Sequence, residues 1–115
     1  MQWLINILEW LTKFRPSALE QEVTILMILT HGREMYGLDI QRAAPDILSE
    51  NSIYVRLTHL VSVGFVTSRL ETNAEKKTRG PRRRLYKITD VGRGRWTEFE
   101  QTNLAPARDE GLQTT

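Results

Sequence analysis

Basic side chains are concentrated in one short stretch of this 115-residue chain, and a stretch of that kind is suited to binding a polyanion. Residues 69–87 contain eight basic and two acidic residues, whereas the whole chain has a net charge of only +2. Arginine and lysine bind phosphates through charge-assisted hydrogen bonds and displace the counterions around nucleic acids. The candidate phosphate-binding residues at the centre of this stretch are Lys76, Lys77, Arg79, Arg82, Arg83 and Arg84.

Cysteine is absent and histidine is scarce, and the carboxylates of the chain show no clustering in sequence. The chain has no cysteine, which excludes disulfides, thiolate metal ligands and cysteine nucleophiles. Only two histidines occur, without an HExxH pattern, so we predict no metal site. The sequence also contains no phosphate-binding loop, dinucleotide fingerprint or nucleophile elbow. We therefore expect neither a cofactor nor enzymatic activity.

The first fifteen residues predict an amphipathic helix, because their apolar residues recur every three or four positions. This segment carries Glu9 and lacks a basic start, which argues against a signal peptide. No stretch of the chain approaches the ~20 apolar residues that span a membrane, so we expect a cytoplasmic protein associated with the nucleoid. The large apolar residues of this segment are Trp3, Leu4, Ile7, Leu8, Trp10, Leu11 and Phe14.

Three further helices are predicted in the first half of the chain. Ser17 and Glu20 have the spacing of a capping box, and the helix that they begin stops at Gly32. A short helix is predicted from Met35 to Ala44. Ser49 is expected to cap a third helix, which runs through Val63 to Gly64.

The pattern then changes from helix to strand. Residues 65–71 and 84–89 alternate and are rich in β-branched and aromatic residues, which predicts two strands of a hairpin. The basic stretch with its Gly80–Pro81 turn would form the tip of that hairpin. Asp90 is expected to cap a final helix, and the residues from 103 onward look like a flexible tail.

This order of elements is typical of a winged helix-turn-helix, in an α+β fold that is mostly helical, with an extra N-terminal helix and a C-terminal helix. We expect a dimerisation helix at residues 1–15, the winged domain at 17–102 and the tail at 103–115. In such a fold the third helix enters the major groove of double-stranded DNA and the hairpin, or wing, reaches the neighbouring phosphates.

The outward face of the third helix is predicted from its core-facing residues Ile53, Leu57 and Leu60. The opposite face contains no acidic residue between positions 51 and 62 and could press close to DNA. Arg56 could bind guanine or a phosphate, and Asn51 could bind adenine. The candidate DNA-binding residues on this helix are Asn51, Ser52, Tyr54, Val55, Arg56, Thr58 and His59.

Several segments resemble the PadR family of bacterial winged-helix regulators, namely Tyr36–Ile40, Ser52–Leu57 and Gly80–Arg93. The resemblance covers about residues 20 to 95. It implies a dimeric protein, usually a repressor, whose recognition helix (51–62) and wing (76–84) contact a palindromic operator. Among short members, the chain is similar to the cyanobacterial clock-associated Pex proteins.

Dimerisation is expected to use the ends of the chain. Many PadR proteins dimerise through a long C-terminal helical domain, and this chain stops too early for one. We therefore predict a two-fold interface formed by the N-terminal helix together with Trp96 and Phe99 of the last helix.

Two other functions stay open. The winged fold could serve as a protein–protein adaptor that binds its partner through the apolar N-terminal helix, although an adaptor would not need a basic wing. A sensor that stacks an aromatic ligand between tryptophans is also conceivable. Core packing explains the same tryptophans more simply, so no small-molecule effector is predicted.

Overall fold

The computed structural model describes residues 16–104. Its helices are α1 (Ala18–Leu29), α2 (Gly37–Ala43), α3 (Ile53–Ser62) and α4 (Asp90–Phe99), which continues into a π-helical turn at Glu100–Leu104. Its strands are β1 (Met35–Tyr36), β2 (Val66–Leu70) and β3 (Arg84–Ile88). The predicted helix at 1–15, with Trp3, Leu4, Ile7, Leu8, Trp10, Leu11 and Phe14, lies outside the described residues, as does the tail from residue 105.

The serine half of the predicted capping box is present at the start of α1. The Ser17 hydroxyl accepts a hydrogen bond from the Glu20 backbone N–H at 3.1 Å, which satisfies one of the unpaired N–H groups of the first turn. The helix ends at Leu29, shortly before Gly32. Ile25, Leu26 and Leu29 are completely or almost completely buried, so one face of α1 packs into the core.

The sheet has three strands rather than the predicted two, in the order β1-β3-β2, and all neighbours are antiparallel. The prediction that the second helix begins at Met35 is wrong, because Met35 pairs with Tyr86 and Tyr36 pairs with Leu85. This pairing satisfies backbone groups on the second edge of β3 that a two-stranded hairpin would leave open. The helix therefore begins two residues later, at Gly37.

The third helix also begins later than predicted. Ser49 caps a turn instead, since its hydroxyl accepts a hydrogen bond from the Ser52 N–H at 3.2 Å, and α3 starts at Ile53. Its end agrees with the prediction. Gly64 has a φ of 83°, and the Phe65 N–H donates to the Leu60 carbonyl at 3.0 Å, which is the pattern of a Schellman cap.

The cap of α4 is Thr89 and not the predicted Asp90. The Thr89 hydroxyl accepts a hydrogen bond from the Gly92 N–H at 3.0 Å. Thr89 is extended, with a ψ of 169°, whereas Asp90 is already the first helical residue. An N-cap residue needs this non-helical backbone to aim its side chain at the first turn, so Thr89 is the residue placed to do it.

The helices α1, α2 and α3 enclose one core with the sheet. Burial of apolar side chains here is the main stabilising contribution to the fold and fixes which face of α3 stays in contact with solvent. Leu48, in the connection before α3, was not predicted to belong to this core and is 1% exposed. The core comprises Ile25, Leu26, Leu29, Ile40, Leu48, Ile53, Leu57, Leu60, Val66, Tyr86 and Ile88.

Within residues 16–104, no helix has the length and apolar character needed to cross a membrane.

Candidate nucleic-acid interface

The outer face of α3 is exposed, because Ile53, Leu57 and Leu60 on its other side are buried in the core. Val55 is 57% exposed and Tyr54 is 47% exposed, although both side chains are hydrophobic. Thr58, His59 and Asn51 are exposed as well, whereas Ser52 and Arg56 are half-buried. All seven predicted residues therefore lie on α3 or in the turn before it, and five of them are exposed.

Two of these residues precede the helix itself. Asn51 and Ser52 lie in the turn before Ile53. The Ser52 hydroxyl donates to the Gln21 side-chain carbonyl at 3.1 Å and lies 2.7 Å from the Ser49 hydroxyl. Ser52 thus ties the start of α3 to α1, whereas Asn51 is exposed to solvent.

An acidic residue from α1 reaches the face that was predicted to be free of acids. Glu22 lies with one carboxylate oxygen 3.3 Å from Nη1 of Arg56, and both oxygens lie 2.9 Å from Nδ1 of His59. The Glu22 side chain is 14% exposed. No acidic residue occurs within positions 51–62, as predicted. The folded surface nevertheless includes the carboxylate of Glu22, which precedes Arg56 by 34 residues in the chain.

The basic stretch forms the connection between β2 and β3, as predicted. Lys77, Arg79, Arg82 and Arg84 are exposed, whereas Lys76 and Arg83 are half-buried. Arg84 donates from Nη1 to the Ser68 hydroxyl on the neighbouring strand at 3.2 Å. The exposed side chains at the tip of the wing retain the cationic character that a phosphate contact needs.

The base of the wing is held by a buried carboxylate, Glu71, whose side chain has no solvent exposure. Glu71 accepts hydrogen bonds from the Tyr36 hydroxyl at 2.7 Å and from the Arg83 backbone N–H at 2.9 Å. The Arg83 guanidinium stacks on the Tyr36 ring, 3.8 Å from its centroid. We name this group the wing clamp: Glu71, Tyr36 and Arg83.

Hydrogen bonding in the wing clamp shifts two pKa values in opposite directions. The Tyr36 hydroxyl and then the Arg83 N–H stabilise the ionised carboxylate, so the pKa of Glu71 lies below its ordinary value. The same Tyr36–Glu71 bond raises the pKa of Tyr36. Arg83 therefore has a structural contact in addition to the phosphate-binding role predicted for it.

Arg69 is likewise engaged within the protein. Its guanidinium donates to Glu34 at 2.8 and 3.0 Å and to Glu75 at 2.9 Å through two nitrogens. The bonds from Arg69 to Glu75, followed by a bond from the Thr72 backbone N–H, lower the pKa of Glu75 to about 2. The charge of Arg69 is thus balanced by neighbouring carboxylates, and the cationic surface of the wing is smaller than the composition of residues 69–87 suggests.

A cavity of about 250 Å³ joins the start of α3 to the base of the wing. Tyr54 lines it from α3, while Arg83 and Arg84 line it from the wing. Residues of both predicted DNA-binding elements therefore line the same cavity. The complete lining is Tyr36, Gly37, Leu38, Tyr54, Arg83, Arg84 and Tyr86.

The predicted dimerisation residues of α4 lie together beside α1. The rings of Trp96 and Phe99 stack with their centroids 6.1 Å apart. They line a groove of about 240 Å³ between the two helices, in which Met27 is 43% exposed. The other lining residues are Glu20, Val23, Thr24 and Ile47.

In the part of the chain that the structure describes, no three His, Cys, Asp or Glu side chains come together as a possible metal site.

Comparison with known proteins identifies the family. Residues 25–98, which are well over half of the chain, match the family described as the transcriptional regulator PadR-like family. The chain belongs to the PadR-like family. This confirms the resemblance stated from sequence, and because the family is one of transcription regulators, it also confirms the prediction of a transcription regulator that is not an enzyme. A comparison with curated proteins gives no significant match.

Several solved structures share the fold of this chain. A protein from Streptococcus mutans UA159, smu.1704, is 26% identical with a TM-score of 0.65, and the match covers 88% of this chain and 93% of that one. PadR of Bacillus subtilis, solved in complex with operator DNA, is 24% identical with a TM-score of 0.58, over 68% of this chain and 45% of that one. Pex from Synechococcus is 21% identical, with a TM-score of 0.51 over 85% and 95% of the two chains, so the likeness to Pex is one of fold.

Proposed function

We propose that this protein is a dimeric, sequence-specific repressor that places α3 in the major groove of a palindromic operator and the wing on the flanking phosphates. The observation that carries the proposal is the cavity that Tyr54 of α3 lines together with Arg83 and Arg84 of the wing. The protein would act in the cytoplasm, where it meets DNA, and the proposal includes no small-molecule effector.

The exposed face of α3 has the size and chemistry of a major-groove reader. An α-helix fits the width of the major groove, where each base pair presents a distinct pattern of donors and acceptors. Asn51 offers a side-chain amide that suits adenine, and Arg56 offers a guanidinium that suits guanine. Val55 is 57% exposed and provides apolar contact of the kind that recognises a thymine methyl group.

The wing supplies contacts that do not depend on sequence. Arg79 and Arg82 are exposed at its tip, and the clamp at its base fixes the direction of the hairpin. Phosphate contacts orient a protein on the duplex, while base contacts determine the sequence. PadR of Bacillus subtilis was solved in complex with operator DNA, which supports DNA binding by this protein.

Removal of two wing charges tests this assignment. In the double variant Arg79→Ala and Arg82→Ala, affinity for a random duplex is expected to fall about 30- to 60-fold at 0.1 M salt, because two phosphate contacts no longer release counterions. The slope of log affinity against log salt should become shallower by about two. Fluorescence anisotropy across a salt series measures both quantities.

The matched control is the double variant Arg33→Ala and Arg95→Ala, which removes the same charge from exposed or half-exposed positions outside the wing. Its salt slope should stay close to that of the wild type. An unchanged slope in the wing variant would contradict the wing assignment. A wild-type protein that binds no duplex would instead favour the adaptor function.

Dimerisation is proposed to combine residues 1–15 with the groove beside Trp96 and Phe99. A repressor that recognises a palindrome needs two copies of α3 about one helical turn of DNA apart. Deletion of residues 1–15 is expected to yield a monomer in sedimentation equilibrium and to weaken operator binding by at least about tenfold, because the two half-sites are no longer bound together. A truncated chain that sediments as the wild type does would contradict this interface.

A further inference from the structure

Glu22 is placed where a DNA-binding protein would ordinarily avoid a carboxylate. Its carboxylate lies 3.3 Å from Nη1 of Arg56 and 2.9 Å from Nδ1 of His59. Both of these basic residues belong to the face of α3 that is proposed to bind DNA. Repulsion from phosphates makes an acidic residue at such a surface unfavourable for binding to any sequence. A carboxylate there needs a compensating role.

The contact between Glu22 and Arg56 is partly shielded from solvent. The side chains of Glu22 and Arg56 are 14% and 24% exposed, so solvent screens their interaction less than it would at the open surface. The adjacent residue of α1, Gln21, accepts a hydrogen bond from Ser52 at the start of α3. Two consecutive residues of α1 thus set the position of α1 against α3 and keep the Glu22 carboxylate in place.

Such a contact restricts what Arg56 and His59 can bind. An arginine without a partner can swing to the nearest phosphate, which occurs at every position of any duplex. A guanidinium that donates one N–H to Glu22 keeps further donors for a base edge, but its charge is partly balanced and its orientation is restricted. Contact with a carboxylate likewise favours a hydrogen on Nδ1 of His59.

We propose that Glu22 is a specificity determinant of DNA binding: it positions Arg56 and His59 for bases and lowers the affinity of the protein for arbitrary sequence. Glu22 is a positioning residue, since it acts through two side chains of α3. The inference rests on the proposed function and adds to it a residue outside the recognition helix.

The test is the isosteric variant Glu22→Gln, measured on two duplexes. One duplex is selected by the wild-type protein from a random pool, and the other is a scrambled sequence of the same composition. Affinity for the scrambled duplex is expected to rise about five- to tenfold at 0.1 M salt, the effect of one additional phosphate contact. Affinity for the selected duplex should not rise, so the preference between the two falls by the same factor.

The control is Asp39→Asn, which removes the same charge from an exposed side chain on α2 that pairs with Arg42. The double variant Glu22→Gln and Arg56→Gln tests whether Glu22 acts through Arg56 or only through its charge. If it acts through Arg56, the gain in affinity for the scrambled duplex should disappear in the double variant. Arg56→Gln alone should also lower the preference, without any gain on scrambled DNA.

Each result decides between the proposals. If Glu22→Gln raises affinity for both duplexes equally, and Asp39→Asn does the same, the positioning role is overturned. A loss of affinity for both duplexes would also overturn it, because that result indicates a merely structural role for Glu22. If the wild type prefers the selected duplex and Glu22→Gln keeps that preference, the inference fails while the proposed function stands. A wild-type protein that enriches no duplex from the random pool overturns both.

Discussion

Replacement of Gly92 with alanine is expected to lower the free energy of unfolding by about 3 kcal/mol, a fall in melting temperature of roughly 10–20 °C for a domain of this size. Gly92 is buried in the first turn of α4, where the helix closely approaches the backbone of Phe65, the residue before β2. A Cβ atom at this position would lie 2.1 Å from the Phe65 carbonyl oxygen and 2.9 Å from a side-chain carbon of Ile88.

The backbone cannot move aside easily at this point. The same Phe65 carbonyl accepts a hydrogen bond from the Thr89 N–H at 3.0 Å, and the Thr89 hydroxyl caps the Gly92 N–H. Relief of the clash would therefore disturb both the helix cap and the connection to the sheet. Overpacking against backbone outweighs the ~1 kcal/mol by which alanine favours a helix over glycine.

Gly94, two residues along the same helix, provides the matched control. A Cβ atom there would have no atom within 4 Å, so Gly94→Ala should stabilise the protein by about 0.5–1 kcal/mol. Thermal unfolding followed by circular dichroism measures both variants. Equal stability of the two variants would show that the close approach at Gly92 is not what limits substitution.

The second large effect is expected at Glu71, in the wing clamp. The variant Glu71→Gln keeps the shape of the side chain but removes the ionised acceptor shared by Tyr36 and the Arg83 N–H. Hydrogen bonds to a buried charged group contribute more than neutral ones, so the melting temperature at pH 7 should fall by about 10 °C. Glu98→Gln, at a side chain that is 71% exposed, should leave it nearly unchanged.

The effect of Glu71 should depend on pH in a defined direction. Because the folded-state pKa of Glu71 is lowered, its contribution to stability is complete above the unfolded pKa of ~4.3 and is lost as the pH falls toward the folded value. The difference in melting temperature between the wild type and Glu71→Gln should therefore shrink below about pH 4. A difference that stays constant from pH 7 to pH 3 would mean that the charge of Glu71 contributes nothing.

Local patterns predicted the features that depend on neighbours along the chain. The Ser17 cap needs only a hydroxyl three residues before the Glu20 N–H, and the end of α3 needs only a residue that adopts a positive φ at Gly64. The alternation in residues 65–71 and 84–89 identified the hairpin because side chains of a strand alternate between two faces. These local features were sufficient to predict the winged-helix fold and the position of the basic wing.

The errors in element boundaries have a tertiary cause. Met35 and Tyr36 became a strand because β3 has a second edge, and no pattern within two residues reports that an edge is available. Thr89 rather than Asp90 caps α4, although both residue types favour that position. The backbone of Thr89 is held extended by its place at the end of β3, beside Phe65.

The basic stretch at residues 69–87 likewise combines properties set by local sequence with properties set by tertiary contacts. The sequence by itself determined that residues 69–87 form a cationic hairpin after an acid-poor helix, because charge and periodicity are local properties. Tertiary structure alone decided which charges stay available. It brought Glu34 to Arg69 and Glu22 to Arg56 across 35 and 34 residues, since an ion pair depends on distance in space and not on separation along the chain.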